Sequence, residues 1–250
     1  MSELEGRIAL VTGVGRTEGI GAAICRELAQ HGADVFYTYW NAYDSSNYPD
    51  KEHKPEEFKK ELEALNVRAD SQELDLSDPS APRELFRIAS ERLGTPTILI
   101  NNACYDVAMP FTELSAEALD LHYFINLRAV TLMCSEFVKG HQNGKQGNIV
   151  NVTSGQSISA MNVDKIPYTV TKAGLEMLAI QLAPGIINLG ITINAVDPGP
   201  TDTGWMSDEV KKEIQKNSIV NKPEEVATAI AALLLNTGKN TTGQVIHVGR

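Results

Sequence analysis

The sequence predicts an α/β fold in which helices cover both faces of a doubly wound, seven-stranded parallel sheet. Short apolar segments alternate with helix-like segments along all 250 residues. Strands that are buried on both faces are typical of parallel sheets and read as continuous apolar runs. Neither a composition break nor a flexible linker interrupts this alternation. We therefore expect residues 1–250 to form one domain.

The predicted elements follow from local patterns. Apolar, largely β-branched runs that end at turn residues predict strands at Arg7–Thr12, Asp34–Tyr39, the residues before Leu76, Thr97–Ile100, Asn148–Val152, Ile191–Val196 and Gln244–Val248. Segments with helical character predict helices at Gly19–His31, Pro55–Leu65, Pro79–Leu93, Ser115–Val138, Pro167–Leu189 and Pro223–Asn236. Residues 40–54 are predicted to be a surface loop, and residues 200–221 a flap over the substrate. Pro184 predicts a kink or early break in its helix, because proline removes a backbone hydrogen bond.

Charge and cysteine content exclude several classes of function. The chain has 22 basic and 32 acidic residues and a net charge of −10, which argues against binding to nucleic acid or an anionic membrane. Its three cysteines are far apart and form no CxxC pair, so neither a disulfide framework nor a metal site is expected. The N-terminal sequence leads directly into a strand without a signal-peptide pattern. We therefore expect a cytoplasmic protein.

A glycine-rich turn follows the first predicted strand. Gly13, Gly19 and Gly21 lie between this strand and the next helix. In a Rossmann-type fold, such glycines permit a tight turn, a close approach to a pyrophosphate and close packing of helix on strand. The helix N-terminus then offers free N–H groups to phosphate. Glycines also occur in such turns without a ligand, so the turn alone does not establish a dinucleotide site.

The end of the second strand bears on the choice of cofactor. NAD sites place a carboxylate there to bind the ribose 2′-hydroxyl, whereas the segment from Thr38 to Asn41 has none before Asp44. A carboxylate would repel a 2′-phosphate, so its absence, together with Arg16 in the glycine turn, favours NADP(H) over NAD(H). The alternative is that Arg16 is a solvated loop charge and the backbone alone binds the ribose.

A tyrosine and a lysine spaced four residues apart predict carbonyl and alcohol chemistry. Tyr168 and Lys172 share a helix face and can point into one cleft. A neighbouring ammonium stabilises phenolate, so the tyrosine becomes a better acid and base near neutral pH. Ser154, Asn102 and Pro198-Gly199 follow predicted strands, at the edge where parallel sheets bind ligands.

These motifs, in this order, resemble the short-chain dehydrogenase/reductase family over essentially the whole chain, and most closely its bacterial 3-oxoacyl-(acyl-carrier-protein) reductase-type members. The resemblance implies that Tyr168 is the general acid and base, that Ser154 polarises the substrate oxygen, and that Lys172 lowers the Tyr168 pKa. It also implies that Asn126 binds a water that relays protons to Lys172. The cofactor-binding residues that it implies, some of them shared with catalysis, are Gly13, Arg16, Gly19, Ile20, Gly21, Thr38, Asp75, Leu76, Asn102, Ala103, Tyr168, Lys172, Pro198, Gly199, Thr201 and Thr203.

The chain departs from the family pattern in several places. Five residues separate Gly13 from Gly19, where three are usual, and Cys104 stands where glycine is usual. Thirteen residues separate Ser154 from Tyr168, so the loop between them is expected to bulge. Ser157 is a weaker alternative to Ser154 as the polarising residue, and Thr153 is weaker still. Four apolar residues of the flap and the bulged loop are interpreted either as a substrate wall or as ordinary core: Trp205, Met206, Met161 and Val163.

We expect an NADP(H)-dependent enzyme that interconverts a ketone, for instance a 3-oxoacyl thioester, and a secondary alcohol. An acyl-carrier protein is not the favoured partner, because the chain is acidic and Leu189 stands where carrier-protein reductases often have a basic residue. The family implies a homo-oligomer, either a tetramer or a dimer. The alternatives are a non-catalytic NADP(H) sensor and an enoyl reductase. The latter would place its lysine at position 175, which is Leu175.

Overall fold

A computed structural model describes residues 2–47, 54–142, 144–155, 163–204, 206–235 and 240–249. These residues form a seven-stranded, all-parallel sheet with the strand order β3-β2-β1-β4-β5-β6-β7, which confirms the predicted fold class. The strands are β1 (Ile8–Val11), β2 (Asp34–Tyr39), β3 (Ala69–Glu73), β4 (Ile98–Asn101), β5 (Gly147–Val152), β6 (Ile191–Asp197) and β7 (Val245–His247).

Helices cover both faces of the sheet. They are α1 (Ile20–Gln30), α2 (Asn41–Asn47), α3 (Pro55–Glu63), α4 (Ala81–Arg92), α5 (Ala116–Tyr123), α6 (Val130–Gly140), α7 (Ile166–Ile186), α8 (Asp208–Gln215) and α9 (Pro223–Leu234). Side chains of α1, α3 and α9 form one apolar core with the sheet. Side chains of α4, α6 and α7 form a second core on the other face. Every residue of β1, β4, β5 and β6 is consequently buried.

Three predicted segments differ from the structure. Residues 41–47 of the predicted surface loop form α2, and part of the predicted flap forms α8. The long helix predicted at Ser115–Val138 is interrupted by a π-helical segment, Phe124–Ala129, between α5 and α6. Such π-helical segments inside helices are often found at functional sites.

The predicted break at Pro184 does not occur where we expected it. Helix α7 continues through Pro184 to Ile186 and then tightens into a 3₁₀ turn at Ile187–Leu189. Gly190 ends this turn in the left-handed region, with φ of +80°. Pro184 is exposed and lies in the last turn of α7, so the one backbone hydrogen bond that it removes is close to a helix end.

Helix α7 is apolar on two sides. The stretch Val163–Leu189 is long and apolar enough to cross a membrane by length and composition alone, with a mean hydropathy of 1.2. Leu175 and Ala179 on its inner side belong to the core beneath the sheet, so packing within the protein explains that side. Val170 and Met177 on its outer side are more than half exposed.

Candidate active site

A cleft of about 580 Å³ lies at the carboxyl edge of the sheet. Because all strands are parallel, the segments that follow β1, β2, β4, β5 and β6 meet at this edge. Most of the predicted site residues line the cleft: Gly13, Arg16, Gly19, Ile20, Gly21, Thr38, Leu76, Asn102, Ala103, Ser154, Tyr168, Pro198, Gly199, Thr201 and Thr203. The structure thus brings together residues that are nearly 200 positions apart in the sequence.

The glycine turn leaves a cradle that side chains would fill. Gly13 has φ of +75°, and a Cβ there would come within 2.5 Å of the Ala103 Cα. A Cβ on Gly21 would come within 2.7 Å of both the Asn102 amide and the Gly13 carbonyl. Gly19 precedes the first residue of α1, whose N-terminus opens onto the cleft. Bare backbone at a helix N-terminus suits a diphosphate, so these residues fit a dinucleotide cofactor.

Hydrogen bonds hold this cradle against the end of β4. The Thr12 hydroxyl accepts from the backbone N–H groups of Asn102 and Ala103, at 3.1 Å each. The Asn102 side chain donates to the carbonyls of Thr12 and Gly13, at 2.9 Å each. The segments that follow β1 and β4 are therefore fixed relative to each other before any ligand binds.

Arg16 reaches across the cleft, and an acidic residue that we had not assigned to the site lies beside it. The Arg16 guanidinium donates to the Thr203 carbonyl at 3.1 Å. A Cβ at position 15 would come within 1.8 Å of Asp44 Oδ2, so this carboxylate rests on the backbone of Gly15. Burial raises the pKa of the Asp44 carboxyl, and the positive charge of Arg16 opposes that shift. The adenosine side of the cleft consequently holds one charge of each sign.

Residues after β2 and β3 occupy the rest of that side. Thr38 is buried, and both Thr38 and Leu76 line the cleft. Asp75 does not line the cleft in the described structure, and its carboxylate accepts from the Ser77 backbone N–H at 2.7 Å. The side chain of Asp75 thus stabilises the turn after β3.

The segment after β6 is held by a residue that sequence reasoning missed. Asp197 is buried, and its Oδ1 accepts from the Gly199 backbone N–H at 2.9 Å. Its Oδ2 lies 2.9 Å from Nδ1 of His247 on β7. The Thr201 hydroxyl donates to the Pro198 carbonyl at 3.0 Å. The predicted cofactor residues at 198–203 are thus held in a defined turn, and the acidic residue immediately before Pro198 could have signalled this role.

Tyr168 and Ser154 meet in the middle of the cleft. Burial raises the pKa of the Tyr168 hydroxyl well above its ordinary value, the negative groups nearby raise it further, and a hydrogen bond with the Ser154 side chain lowers it. Thr153, the weaker alternative, also lines the cleft, and its buried hydroxyl has no partner among the described residues. Ser157, the other alternative, lies outside the described residues.

Lys172 lies behind the Tyr168 ring. Its Nζ is 5.8 Å from the centre of that ring and donates to the Val152 carbonyl at 2.8 Å. Only 2% of Lys172 is exposed. Burial lowers the pKa of its amine, while nearby acidic groups raise it. The helical spacing thus places ammonium and phenol together, as predicted.

Asn126 lies in the π-helical segment, and its side chain is engaged by the protein. Its Oδ1 accepts from the Tyr105 backbone N–H at 2.7 Å. Its Nδ2 donates to the Tyr105 carbonyl at 2.9 Å and to the Thr171 hydroxyl at 3.1 Å. The side chain of Asn126 therefore links the segment after β4 to Thr171 of α7, the residue immediately before Lys172.

The cleft also contains an ion pair that the sequence did not suggest. Lys165 Nζ lies 2.6 Å from Asp106 Oδ2 and 5.9 Å from the centre of the Tyr168 ring. Both charged residues line the cleft, although they are 59 positions apart in sequence. In the sequence, the only indication of this ion pair is that Lys165 lies three residues before Tyr168.

The two described members of the predicted apolar wall do not line the cleft. Met206 is buried and Val163 is 70% exposed. The other two members of the predicted wall, Met161 and Trp205, lie outside the described residues. From the predicted flap, Ile214 of α8 and Ser218 do line the cleft.

The chain is similar to known proteins along its length. Residues 13–250 match a family model described as enoyl-(acyl carrier protein) reductase. An uncharacterized oxidoreductase of Bacillus subtilis, YjdA, is 36% identical over 252 residues, which cover 99% of this chain and 97% of the relative. The 3-oxoacyl-[acyl-carrier-protein] reductase FabG of Pseudomonas aeruginosa is 29% identical over 256 residues, with 98% and 96% covered.

Similarity in structure leads to the same group of proteins. A short chain dehydrogenase from Burkholderia cenocepacia, solved in complex with NADP, superimposes with a TM-score of 0.86. The two sequences are 29% identical, and the match covers 98% of this chain and 97% of that one. Together with the glycine cradle and the Tyr168–Lys172 pair at one sheet edge, these similarities show that the chain belongs to the short-chain dehydrogenase/reductase family and is an NAD(P)-dependent oxidoreductase acting on alcohol and carbonyl groups.

Proposed function

We propose that this protein reduces a ketone to a secondary alcohol with NADPH and catalyses the reverse reaction, with Tyr168 as the general acid and base. The observation that carries the proposal is the placement of three side chains at the cleft. Tyr168 and Ser154 hydrogen-bond each other, and the Lys172 ammonium lies behind the same ring. A phenol hydroxyl, a second hydroxyl and a buried cation at one place can together transfer a proton to a carbonyl oxygen.

The residues divide the work of reduction among them. When bound, the dinucleotide supplies the hydride that the carbonyl carbon accepts. The Ser154 hydroxyl donates a hydrogen bond to the carbonyl oxygen and polarises the C=O bond. The Tyr168 hydroxyl transfers its proton to that oxygen, which completes the alcohol and leaves a phenolate. The Lys172 ammonium stabilises the phenolate by its charge.

Asn126 is proposed to act by positioning rather than by carrying protons through its side chain. Both hydrogens of its Nδ2 are engaged, one by Tyr105 and one by Thr171. We propose that this bridge fixes the start of α7 relative to the segment after β4. The amide would then set where Tyr168 and Lys172 stand in the cleft.

Selectivity for NADP(H) is proposed to depend on Arg16 and Asp44. Arg16 supplies the positive charge that favours a 2′-phosphate, and the Burkholderia relative was solved with NADP. Asp44 opposes this preference because it adds a carboxylate to the same side of the cleft. The net preference for NADP(H) therefore requires that the positive charge of Arg16 outweigh the carboxylate of the partly buried Asp44.

For the substrate, a ketone is favoured over an enoyl thioester. An enoyl reductase would need its lysine at position 175, and Leu175 is fully buried in the core beneath the sheet. FabG is named for 3-oxoacyl carrier-protein reduction, and a 3-oxoacyl thioester stays one candidate ketone. An acidic carrier protein is not favoured as the partner, because Leu189 is apolar and the chain carries a net charge of −10.

The remaining expectations concern the state of the protein in the cell. We propose a single-domain, cytoplasmic homo-oligomer whose contacts include the outer face of α7. Val170 and Met177 there are more than half exposed, and association would remove apolar surface from water. Size-exclusion chromatography with light scattering would test the oligomer, and Met177→Glu should weaken it.

The proposal is tested by Tyr168→Phe, with Tyr123→Phe as the matched control. Tyr123 is 48% exposed and does not line the described cleft. We expect Tyr168→Phe to lower kcat for ketone reduction by roughly 10²- to 10⁴-fold, with little change in the Kd for NADPH, while Tyr123→Phe leaves both unchanged. An unchanged rate for Tyr168→Phe would show that another group transfers the proton. Tight NADPH binding without turnover of any carbonyl or alcohol would favour a cofactor sensor.

A further inference from the structure

The Lys165–Asp106 ion pair has no part in the chemistry described so far, yet it lies beside the reacting group. Both residues line the cleft, and Lys165 Nζ is 5.9 Å from the centre of the Tyr168 ring. Lys172 is at nearly the same distance from that ring but is buried. The side chains of Lys165 and Asp106 are 29% and 26% exposed, so the pair faces the open part of the cleft.

The Asp106 carboxylate has unused capacity to accept hydrogen bonds. Oδ2 binds Lys165 at 2.6 Å, whereas Oδ1 is buried and has no partner among the described residues. A buried carboxylate oxygen without a donor is costly. A half-turn about the Cβ–Cγ bond exchanges the two oxygens, and each oxygen can accept more than one hydrogen bond, so a donor that enters the cleft can reach this carboxylate. Lys165, with three N–H donors, can at the same time donate to an oxygen of that group.

The charge of the pair restricts what it can bind. Asp106 and Lys165 are opposite in charge and in direct contact, so together they are neutral. A carboxylate or ammonium on the substrate would repel one member of the pair. A saturated acyl chain would remove water from both charged groups and could not replace the hydrogen bonds that the groups make to that water. A neutral hydroxyl, which donates to the carboxylate and accepts from the ammonium, matches both members.

We propose that Asp106 and Lys165 determine substrate specificity by binding a hydroxyl group of the substrate, so that the enzyme acts on hydroxylated carbonyl compounds. The inference rests on the proposed function, because it places the reacting carbonyl at Tyr168. The reaction remains balanced. A hydride reaches the carbonyl carbon, a proton from Tyr168 reaches its oxygen, and the product is a diol. The bound hydroxyl neither gains nor loses a proton.

Three ketones of one chain length test this inference with NADPH and the full-length protein. They are 1-hydroxy-2-butanone, 1-methoxy-2-butanone and 2-butanone, and the measured quantity is kcat/KM for each. The methoxy compound keeps the electron-withdrawing oxygen but cannot donate a hydrogen bond. We expect the enzyme to prefer the hydroxy over the methoxy ketone by at least about tenfold, because a site built to bind a hydroxyl rejects the analogue that cannot donate.

The variant Asp106→Asn/Lys165→Met keeps the shapes of both side chains and the net charge of the cleft. We expect it to reduce the preference to below about threefold, because kcat/KM for 1-hydroxy-2-butanone falls more than kcat/KM for the other two ketones. The matched control is Glu136→Gln/Lys139→Met. It removes a similar ion pair on α6, with a distance of 2.7 Å between the charged atoms, and neither residue lines the described cleft. This control should leave the preference unchanged.

Each other result overturns the inference in a recognisable way. If the wild type reduces all three ketones without preference, or if the double variant retains the preference, substrate recognition by the pair is refuted. The pair then only connects the segment after β4 to the start of α7, where the Met109 N–H also donates to the Asp164 carbonyl at 2.9 Å. In that case the only effect of the double variant is a lower Tm. If NADPH binds but none of a broad carbonyl panel is reduced, the proposed function itself fails.

Discussion

Replacement of Lys172 by methionine tests the electrostatic part of the mechanism most directly. The ammonium lies 5.8 Å from the centre of the Tyr168 ring and is almost completely buried. Methionine has a similar length and no charge, so the substitution removes a cation while filling most of the space. It also leaves the Val152 carbonyl without its donor at 2.8 Å. Some loss of stability, about 1–3 kcal/mol, is expected from that unpaired carbonyl alone.

The size of the electrostatic effect follows from this distance. With the phenolate charge placed at the ring centre, 5.8 Å from the ammonium, the two unit charges interact by about 3 kcal/mol at an effective dielectric constant of about 20. One pKa unit corresponds to about 1.4 kcal/mol. Loss of Lys172 should therefore raise the pKa of Tyr168 in the working enzyme by about two units, because phenolate loses the charge that stabilises it.

Lys165→Met is a natural comparison, since Lys165 lies 5.9 Å from the same ring. Distance alone would predict equal effects for the two lysines. Lys165 is 29% exposed, however, and water screens its charge. At a dielectric constant of about 40 to 80, the expected rise in the Tyr168 pKa is about one unit or less. The two variants thus compare a buried cation with a partly exposed cation that is paired with Asp106.

The assay is the pH dependence of kcat/KM for alcohol oxidation. Phenolate is the base in this direction, so the rate rises with pH through the apparent pKa of Tyr168. A higher pKa moves that rising limb to higher pH, by about two units for Lys172→Met and by about one or less for Lys165→Met. A Lys172→Met profile that coincides with that of the wild type, in a folded protein that binds cofactor, would refute the assignment of Lys172.

Three further predictions follow from other parts of the structure. Asp44→Asn removes a negative charge from the adenosine side of the cleft, so the Kd for NADPH should fall by about tenfold while the Kd for NADH changes little. Arg16→Ala should have the opposite effect and weaken the binding of NADPH selectively. Isothermal titration calorimetry measures the Kd values of both variants. Gly13→Ala would place a Cβ 2.5 Å from the Ala103 Cα at a positive φ, and cofactor affinity should fall at least tenfold, whereas unaltered affinity would contradict the cradle. Leu175→Ala should lower the free energy of unfolding by about 3–5 kcal/mol in urea titrations, because Leu175 is fully buried.

The parts of the fold that could be predicted from sequence are those that bury apolar side chains. All residues of β5 and β6 are buried, and their apolar runs were visible as strands. Helices α2 and α8 contain no buried residue among those described, and α8 is short and has only two apolar residues, Val210 and Ile214, to indicate a helix. The π-helical segment at Phe124–Ala129 was hidden for a different reason: one wide turn shifts the phase of a helix without breaking its apolar pattern.

Most of the site was predictable where residues directly follow strands or, like Tyr168 and Lys172, share one face of a helix, and residues on other segments were missed. Ser154, Asn102 and Pro198 come directly after buried strands, so the geometry of a parallel sheet brings them to one edge. Asp44 reaches the cleft through the unpredicted helix α2, and Asp106 through an irregular segment. Contacts between such segments depend on the path of each loop, which local sequence patterns do not encode.

Net charge is a poor guide to this cleft because its acidic residues lie beside basic groups. The positive charge of Arg16 lowers the pKa of Asp44. Asp106 forms an ion pair with Lys165, and Asp197 hydrogen-bonds His247. Salt screens separated surface charges over about 8 Å, whereas partly buried contacts are screened much less. The overall charge of −10 therefore has little influence on a bound dinucleotide compared with these pairs. The charges that select cofactor and substrate are nevertheless coupled to the chemistry at Tyr168, because Asp106 and Asp197 also raise the pKa of its hydroxyl.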